Sequence, residues 1–390
     1  MPVLVIRRLS GTEIATPPGC QTSADTSESV SAAEGGDALR LLDPSWDRLV
    51  LAQPVPNPTL LGPWLRAAAT LHEDPPLVVA VHDHSGAVAG GAFRIGRLGG
   101  RGGPRVASWL GPTAFQNSPD LITEPRAGGG PGALVVSELL DRVRLVHLPM
   151  TVLSGNAADA FQTALPHSRM NTLGETFFVP LPSPRVESVR RSAARSLRRA
   201  SRAGVRVSIT VHSTPADVRP ALERMFRLYR HAWHQREGEM GRFARTADQR
   251  AAYRRALDAL AGAGHVRVVE VTENGRPIAA QLGLLAGRGA LAHTTALARD
   301  GRLHGAGNIA LLAWVEEATT AGAQVMDLSR GGGEPGGPKR RLGAGPAPWG
   351  TVIAARSRPL QQGFVAALRI RHRIPQGLRG RRGFAARPGR

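Results

Sequence analysis

Arg302-Leu303-His304-Gly305-Ala306-Gly307 places an arginine three residues ahead of a G-x-G, directly before an apolar run, Asn308–Thr320, of helical spacing. Two glycines there let backbone N–H groups approach a bound anion. The N-terminus of the following helix adds partial positive charge, so the pattern suits a pyrophosphate. In a chain with 46 glycines six residues specify little by themselves. The position between a predicted strand, Leu291–Leu297, and a predicted helix gives them weight; the competing reading is a plain turn and helix start. The sequence has no G-x-S-x-G elbow, no Walker loop and no H-E-x-x-H. His82 and His84, in His82–Gly86, fit a hairpin turn better than a metal pair. One cysteine, Cys20, excludes an intrachain disulfide and a cysteine zinc cage, and no metal is expected.

Length and charge bound the rest. The chain has 390 residues, 42% of them apolar, enough for two domains with real cores. Its net charge is +20, and 49 of its 50 cationic residues are arginine, Lys339 being the exception. That usage, with 46 glycines and 30 prolines, points to a GC-rich bacterial genome. The charge is concentrated. Arg356–Arg390 has ten arginines and no acid, and Arg185–Arg206 has eight arginines against Glu187. Aromatics are only 4% and absent from Arg185–Arg206, which argues against a nucleic-acid reader built on base stacking. The C-terminal arginines could make a weak contact with an anionic membrane surface through Phe364–Ile374, although docking on the protein's own core is the simpler role. No run approaches 18 apolar residues and Met1–Ser10 lacks a long apolar region with a cleavage site, so a cytoplasmic protein is expected.

Residues 1–38 lack apolar periodicity and read as a disordered tail. Beyond it, helices are predicted at Pro44–Val50 and Gly62–His72, strands at Leu77–Val81, Val88–Ile95 and Arg105–Leu110, a helix at Ala133–Asp141, and strands at Arg144–Leu148 and Thr176–Val179. The second half repeats the order. It reads helix Val186–Ala203, strand Val205–Val211, helices Ala216–Arg236 and Ala247–Ala261, and strands Val266–Val271, Ile278–Leu285 and Leu291–Leu297. Helix Asn308–Thr320 and strands Val325–Leu328 and Thr351–Ala355 complete it. The fold class expected is α/β, two units of one kind over residues 39–184 and 185–357, followed by a basic tail, 358–390.

Four features together resemble a known family. They are the long helix ending Leu228–Glu239 (LYRHAWHQREGE), the hairpin VVEVTENGRPIAAQLGL, the HGAGN turn before its helix, and Asp327-Leu328-Ser329-Arg330-Gly331 with Lys339 downstream. From about Arg185 to Ala355 the chain is similar to the GNAT-fold acyltransferases of the CelD-type, cellulose-biosynthesis-like proteins, and more distantly to the FemAB-like transferases. The first half, from about Leu41, is similar in pattern to that family's N-terminal GNAT-like unit. The resemblance implies tandem GNAT-like units with mixed sheets flanked by helices. It implies acyl transfer from acetyl-CoA or another acyl-CoA, used as co-substrate, to an amine, directly in a ternary complex.

Carried onto this sequence, the resemblance places the CoA cradle at Arg302, Gly305, Ala306, Gly307 and Asn308. Asp327 could be the base or orient Arg330, or it could cap the following turn. Arg330, Lys339 and Arg340 could hold an anionic substrate or the CoA 3′-phosphate, or could be a solvated loop. Trp233, His234 and Glu237 fall where the family has its substrate pocket; either titratable residue could be a base or be structural. Tyr229 is a possible acid or a packing residue, and His293 reads as core. One departure is plain: Gly331–Gly343 is longer than the family's closing motif, glycine-rich and without aromatics. The acceptor expected is the amine of a small molecule or a cell-envelope precursor. FemAB-like aminoacyl transfer from charged tRNA, and a non-catalytic scaffold or surface-associated role, are the alternatives.

Overall fold

The computed structural model describes residues 28–111, 117–124, 130–233, 246–298, 305–330 and 337–373. The first half runs β1 (Ser29–Glu34), α1 (Pro44–Ala52), α2 (Gly62–Ala69), β2 (Pro76–Asp83), β3 (Gly86–Arg97), β4 (Arg105–Trp109), β5 (Ile122–Thr123), α3 (Gly130–Arg142), β6 (Leu145–Val152), α4 (Asn156–Ala164) and β7 (Arg169–Pro180). The second runs α5 (Val186–Arg202), β8 (Val207–His212), α6 (Pro215–Trp233), α7 (Ala247–Gly262), β9 (Val266–Glu273), β10 (Arg276–Ala286) and β11 (Gly289–Leu297). It continues with α8 (Ala306–Thr320), β12 (Val325–Arg330), α9 (Pro338–Arg341), β13 (Gly345–Ala354) and α10 (Arg358–Arg373).

Local chemistry accounts for most of these. Val/Ile-rich runs with Asn274-Gly275 between β9 and β10 make a two-residue hairpin, both residues at positive φ. Asp43 caps α1 by accepting from Ser45 N and Trp46 N, with Pro44 at the first helical position. Thr246 and Gln249 form a capping box at the start of α7.

All the strands form one mixed sheet in the order β1-β2-β3-β4-β6-β13-β7-β12-β11-β10-β9-β8, with β5 beside β3. Read inward from each edge, the halves are alike. Four strands pair antiparallel, the next joins in parallel (β4–β6, β11–β12), and a sixth closes antiparallel (β6–β13, β12–β7). The sixth strand of each half comes from the other half of the sequence. β7 lies in the second unit's sheet, β13 in the first's, and the two pair with each other along the join. A division of the sequence at 184/185 therefore does not coincide with the units in space.

One core serves both halves: Trp46 and Trp64 from α1 and α2 share a cluster with Tyr253, Leu257 and Leu260 from α7 and with the inner face of β9 and β10. Behind the sheet, α3 and α4 cover the first half and α5 and α8 the second. Phe364 and Val365 of α10 dock on Leu145 and Ile353, so the C-terminal helix is an element of the core over its described side chains.

Three features depart from expectation. Ser29–Glu34, assigned above to the tail, is strand β1, held in register by β2 from Ser29↔His82 to Glu34↔Leu77 and by the Glu34–Arg105 ion pair. An edge strand takes its stability from its neighbour's backbone and needs no apolar alternation of its own. Residues 1–27 lie outside the described residues. The strand predicted at Thr176–Val179 runs from Arg169, its exposed first half carried by β13. Helix α4 was not expected at all; its cap comes from a distance, Asp120 accepting from Asn156 N at 2.9 Å and Ala157 N at 2.6 Å.

Candidate active site

β11 and β12 pair in parallel only over Gly289–Leu291 and Val325–Asp327. Leu282 faces Thr294 while Gly283 faces Ala292, so His293 is the extra residue of a bulge in β11. At the far end of β11, α8 begins on Gly305, whose φ of 68° is left-handed and suits glycine. A Cβ on Gly307 would lie 3.1 Å from Leu297 Cδ2, so the first turn of α8 sits directly on the end of β11. On its other side stands α5: a Cβ on Gly305 would lie 3.0 Å from Ser196 Oγ. Ala306 is buried, while Gly307 and Asn308 are partly exposed. A helix start at two glycines fits an anion cradle, although the Asn308 N–H already donates to Gly305 O at 3.0 Å. Arg302 lies outside the described residues.

The second cluster centres on Asp327, buried near the end of β12. Its carboxylate accepts from Ser329 N at 2.6 Å, Asn117 Nδ2 at 3.1 Å and Thr176 Oγ1 at 3.3 Å. The Ser329 bond realises the turn-capping reading, because Ser329 is a bulge residue with φ 56°. Burial raises the Asp327 carboxyl above the usual carboxylate range, against the pull of the Ser329 N–H and the Lys339 charge. Lys339 on α9 donates to the carbonyls of Ser329 at 2.7 Å and Arg330 at 3.1 Å. Burial brings its ammonium down to about 8. Lys339 and Arg340 both lie over the Phe177 ring, at 5.6 and 5.5 Å, and Arg340 reaches Glu175 at 3.4 Å. Arg330 lies over Trp349 at 5.6 Å and donates to Met150 Sδ; burial lowers its pKa.

The structure thus brings Asp327, Arg330, Lys339 and Arg340 together, and sets Gly305, Ala306, Gly307 and Asn308 at the end of the neighbouring strand. Tyr229 is buried in the core shared by the two halves, where packing is its visible role. His293 touches Trp64 and Tyr253, with ring centroids at 5.2 and 5.9 Å, and burial lowers its pKa to about 4, which keeps it neutral. Trp233 ends α6; His234 and Glu237 lie outside the described residues, as does Gly331 to Gly336 of the closing loop.

Sequence reading missed Asn117, Thr176 and Met150. Asn117 comes from the first half, its carbonyl held by Asn57 Nδ2 at 2.7 Å, and Thr176 comes from the exchanged strand β7. Neither residue is within 100 positions of Asp327 in the chain, and no local pattern marks them. Among the described residues no group of His, Cys, Asp and Glu could hold a metal ion, and no helix is long and apolar enough to cross a membrane.

These features define two α/β units of one topology that share a single mixed sheet. Residues 187–335 match the family described as the acetyltransferase (GNAT) domain. Among solved structures, FemX is similar at 9% identity and a TM-score of 0.54, over 85% of this chain and 99% of that one. The C-terminal domain (DUF2156) of a protein described as a lysylphosphatidylglycerol synthetase from Agrobacterium fabrum is similar at 13% identity and a TM-score of 0.53, over 86% and 94%. At such identities the likeness concerns the fold. No curated protein matches the chain.

Proposed function

We propose that the protein is an N-acyltransferase moving an acyl group, acetyl in the simplest case, from acyl-CoA to an amine of a small molecule or cell-envelope precursor. The observation that carries this reading is the start of α8. A left-handed Gly305 and a Gly307 pressed on Leu297 lie inside the segment that matches the acetyltransferase domain. The N–H groups of that first turn hold the pyrophosphate, and the thioester extends toward the gap beyond the short β11–β12 pairing. Asp327, raised by burial, takes a proton from the attacking amine. The C–N bond forms, the C–S bond breaks, and the thiolate leaves with a proton. Lys339 and Arg340 face the anionic part of either substrate.

Titration calorimetry with acetyl-CoA tests this. The parent chain binds, Gly307→Trp does not, and Asp327→Asn binds normally but loses roughly 100-fold or more in turnover, the scale of a general base. Absence of heat at high protein concentration overturns the reading.

One observation favours a second reading. The six arginines of α5, at positions 190, 191, 195, 198, 199 and 202, are all exposed, and this helix flanks the start of α8. FemAB-like transfer from an aminoacyl-tRNA would use such a face. tRNA binding that weakens steeply with salt, in a chain silent to acetyl-CoA, selects it.

A further inference from the structure

A separate cavity of about 330 Å³ lies in the first half, between α10 and the sheet face formed by β3, β4 and β6. Its polar lining is Arg94, Arg97, Asp74, Ser108 and His147; Phe364 and Leu368 of α10 supply an apolar wall. The place of His147 in the fold is notable. Val146 pairs with Ala107 across the parallel β4–β6 junction, and Met326 pairs with Ala290 across the parallel β11–β12 junction. His147 and Asp327 each follow by one residue and face the side of the sheet away from α3 and α8. The cavity therefore occupies, in the first unit, the position that the Asp327 cluster occupies in the second.

Its charge is unbalanced. Arg94 Nη1 pairs with Asp74 Oδ2 at 3.0 Å, which offsets one guanidinium, while among the described residues Arg97 donates to the carbonyl of Gly103 at 3.2 Å. Among the described residues, buried Arg94 Nε has no hydrogen-bond partner. His147, packed edge-on to Phe364 at 5.5 Å, is kept neutral by burial and then by the charge of Arg94, which together bring it to about 4. It offers a ring nitrogen without a charge. The lining as a whole carries one positive charge more than negative, an orphaned N–H, and an apolar wall on one side. A dianion would exceed that charge, and a purely polar ion would leave Phe364 and Leu368 uncovered.

We propose that this cavity binds a small organic carboxylate, its head against Arg94 and Arg97 and its aliphatic body along Phe364 and Leu368. The site is independent of the acyl-transfer reading. Octanoate is the probe, titrated into the full chain by calorimetry, with octylamine and inorganic phosphate as controls. The expected result is one saturable octanoate site, weakened at least tenfold by Arg94→Gln and by Ala367→Trp, which plugs the mouth from an exposed position of α10. Octylamine and phosphate should not saturate. Ala367→Trp should melt as the parent does, so it remains decisive if Arg94→Gln fails to fold. No saturation by octanoate, affinity unchanged in Ala367→Trp, or equal binding of octylamine or phosphate overturns the proposal.

Discussion

Lys339 donates to two carbonyls of the bulge that ends β12 and stands near Asp327, and burial holds its ammonium at about 8 rather than the ordinary 10.5. The unfolded chain therefore binds more protons than the folded one between those values, and stability rises with pH across that window. Because Lys339 is the chain's single lysine, few other groups titrate there. Urea unfolding should show stability increasing by about 1.5 kcal/mol from pH 8 to about 9.5, the slope approaching about 1.4 kcal/mol per pH unit once the folded-state group has lost its proton. Lys339→Met should flatten that rise. A parent curve without slope in this window would place the ammonium in water. The neighbouring Asp327 shows how much depends on partners: its type and position at a strand end were visible in the sequence, but its burial and its bonds to Asn117 and Thr176 were not.

At the scale of elements, two helices begin in contrasting ways. The start of α8 is built locally, from Gly305 and Gly307, and is visible as a pattern. The start of α4 is built by Asp120, which accepts from Leu121 N at 2.9 Å as well as from Asn156 N and Ala157 N. Burial raises the Asp120 carboxyl to about 7 against these bonds. Asp120→Ala strands the two α4 N–H groups and should cost about 2 kcal/mol in a denaturant midpoint, the upper range for a lost cap. Asp120→Asn, which still accepts, should cost less. Equal losses for the two variants would show that the acceptor oxygen is not what matters. For α8, Gly305→Ala forces a Cβ into the left-handed region and against Ser196, and should cost about 1–2 kcal/mol.

For the whole molecule, the exchange of β7 and β13 makes the halves interdependent. A fragment of residues 185–357 retains β13 but lacks β7, the strand that closes its own sheet against β12. It also loses Trp64 from the shared core, which packs on Tyr253 at 5.7 Å. Such a fragment should not unfold cooperatively. Extending it to residues 169–357 restores the β12–β7–β13 arrangement and should raise amide protection in β12 and β13 by at least tenfold. A cooperative melt from the 185–357 fragment would mean that the exchanged strand is dispensable. Trp64→Ala in the full chain should cost about 3–5 kcal/mol, because the cavity opens in a core common to both units.

Most of the element order, the two hairpins, the glycine turn ahead of α8 and the clustering of the arginines were legible in the sequence, because each rests on neighbours a few residues apart: period-two or helical spacing, turn chemistry, charge along one helix. The same locality explains the repeated pattern of the two halves. Tertiary structure alone decided which strand closes each unit, that Ser29–Glu34 is an edge strand, that Asn117 and Thr176 meet Asp327, and that His147 and Arg94 line a cavity beneath α10. Those outcomes depend on backbone pairing and on contacts between residues far apart in the chain, and a local pattern carries no information about either.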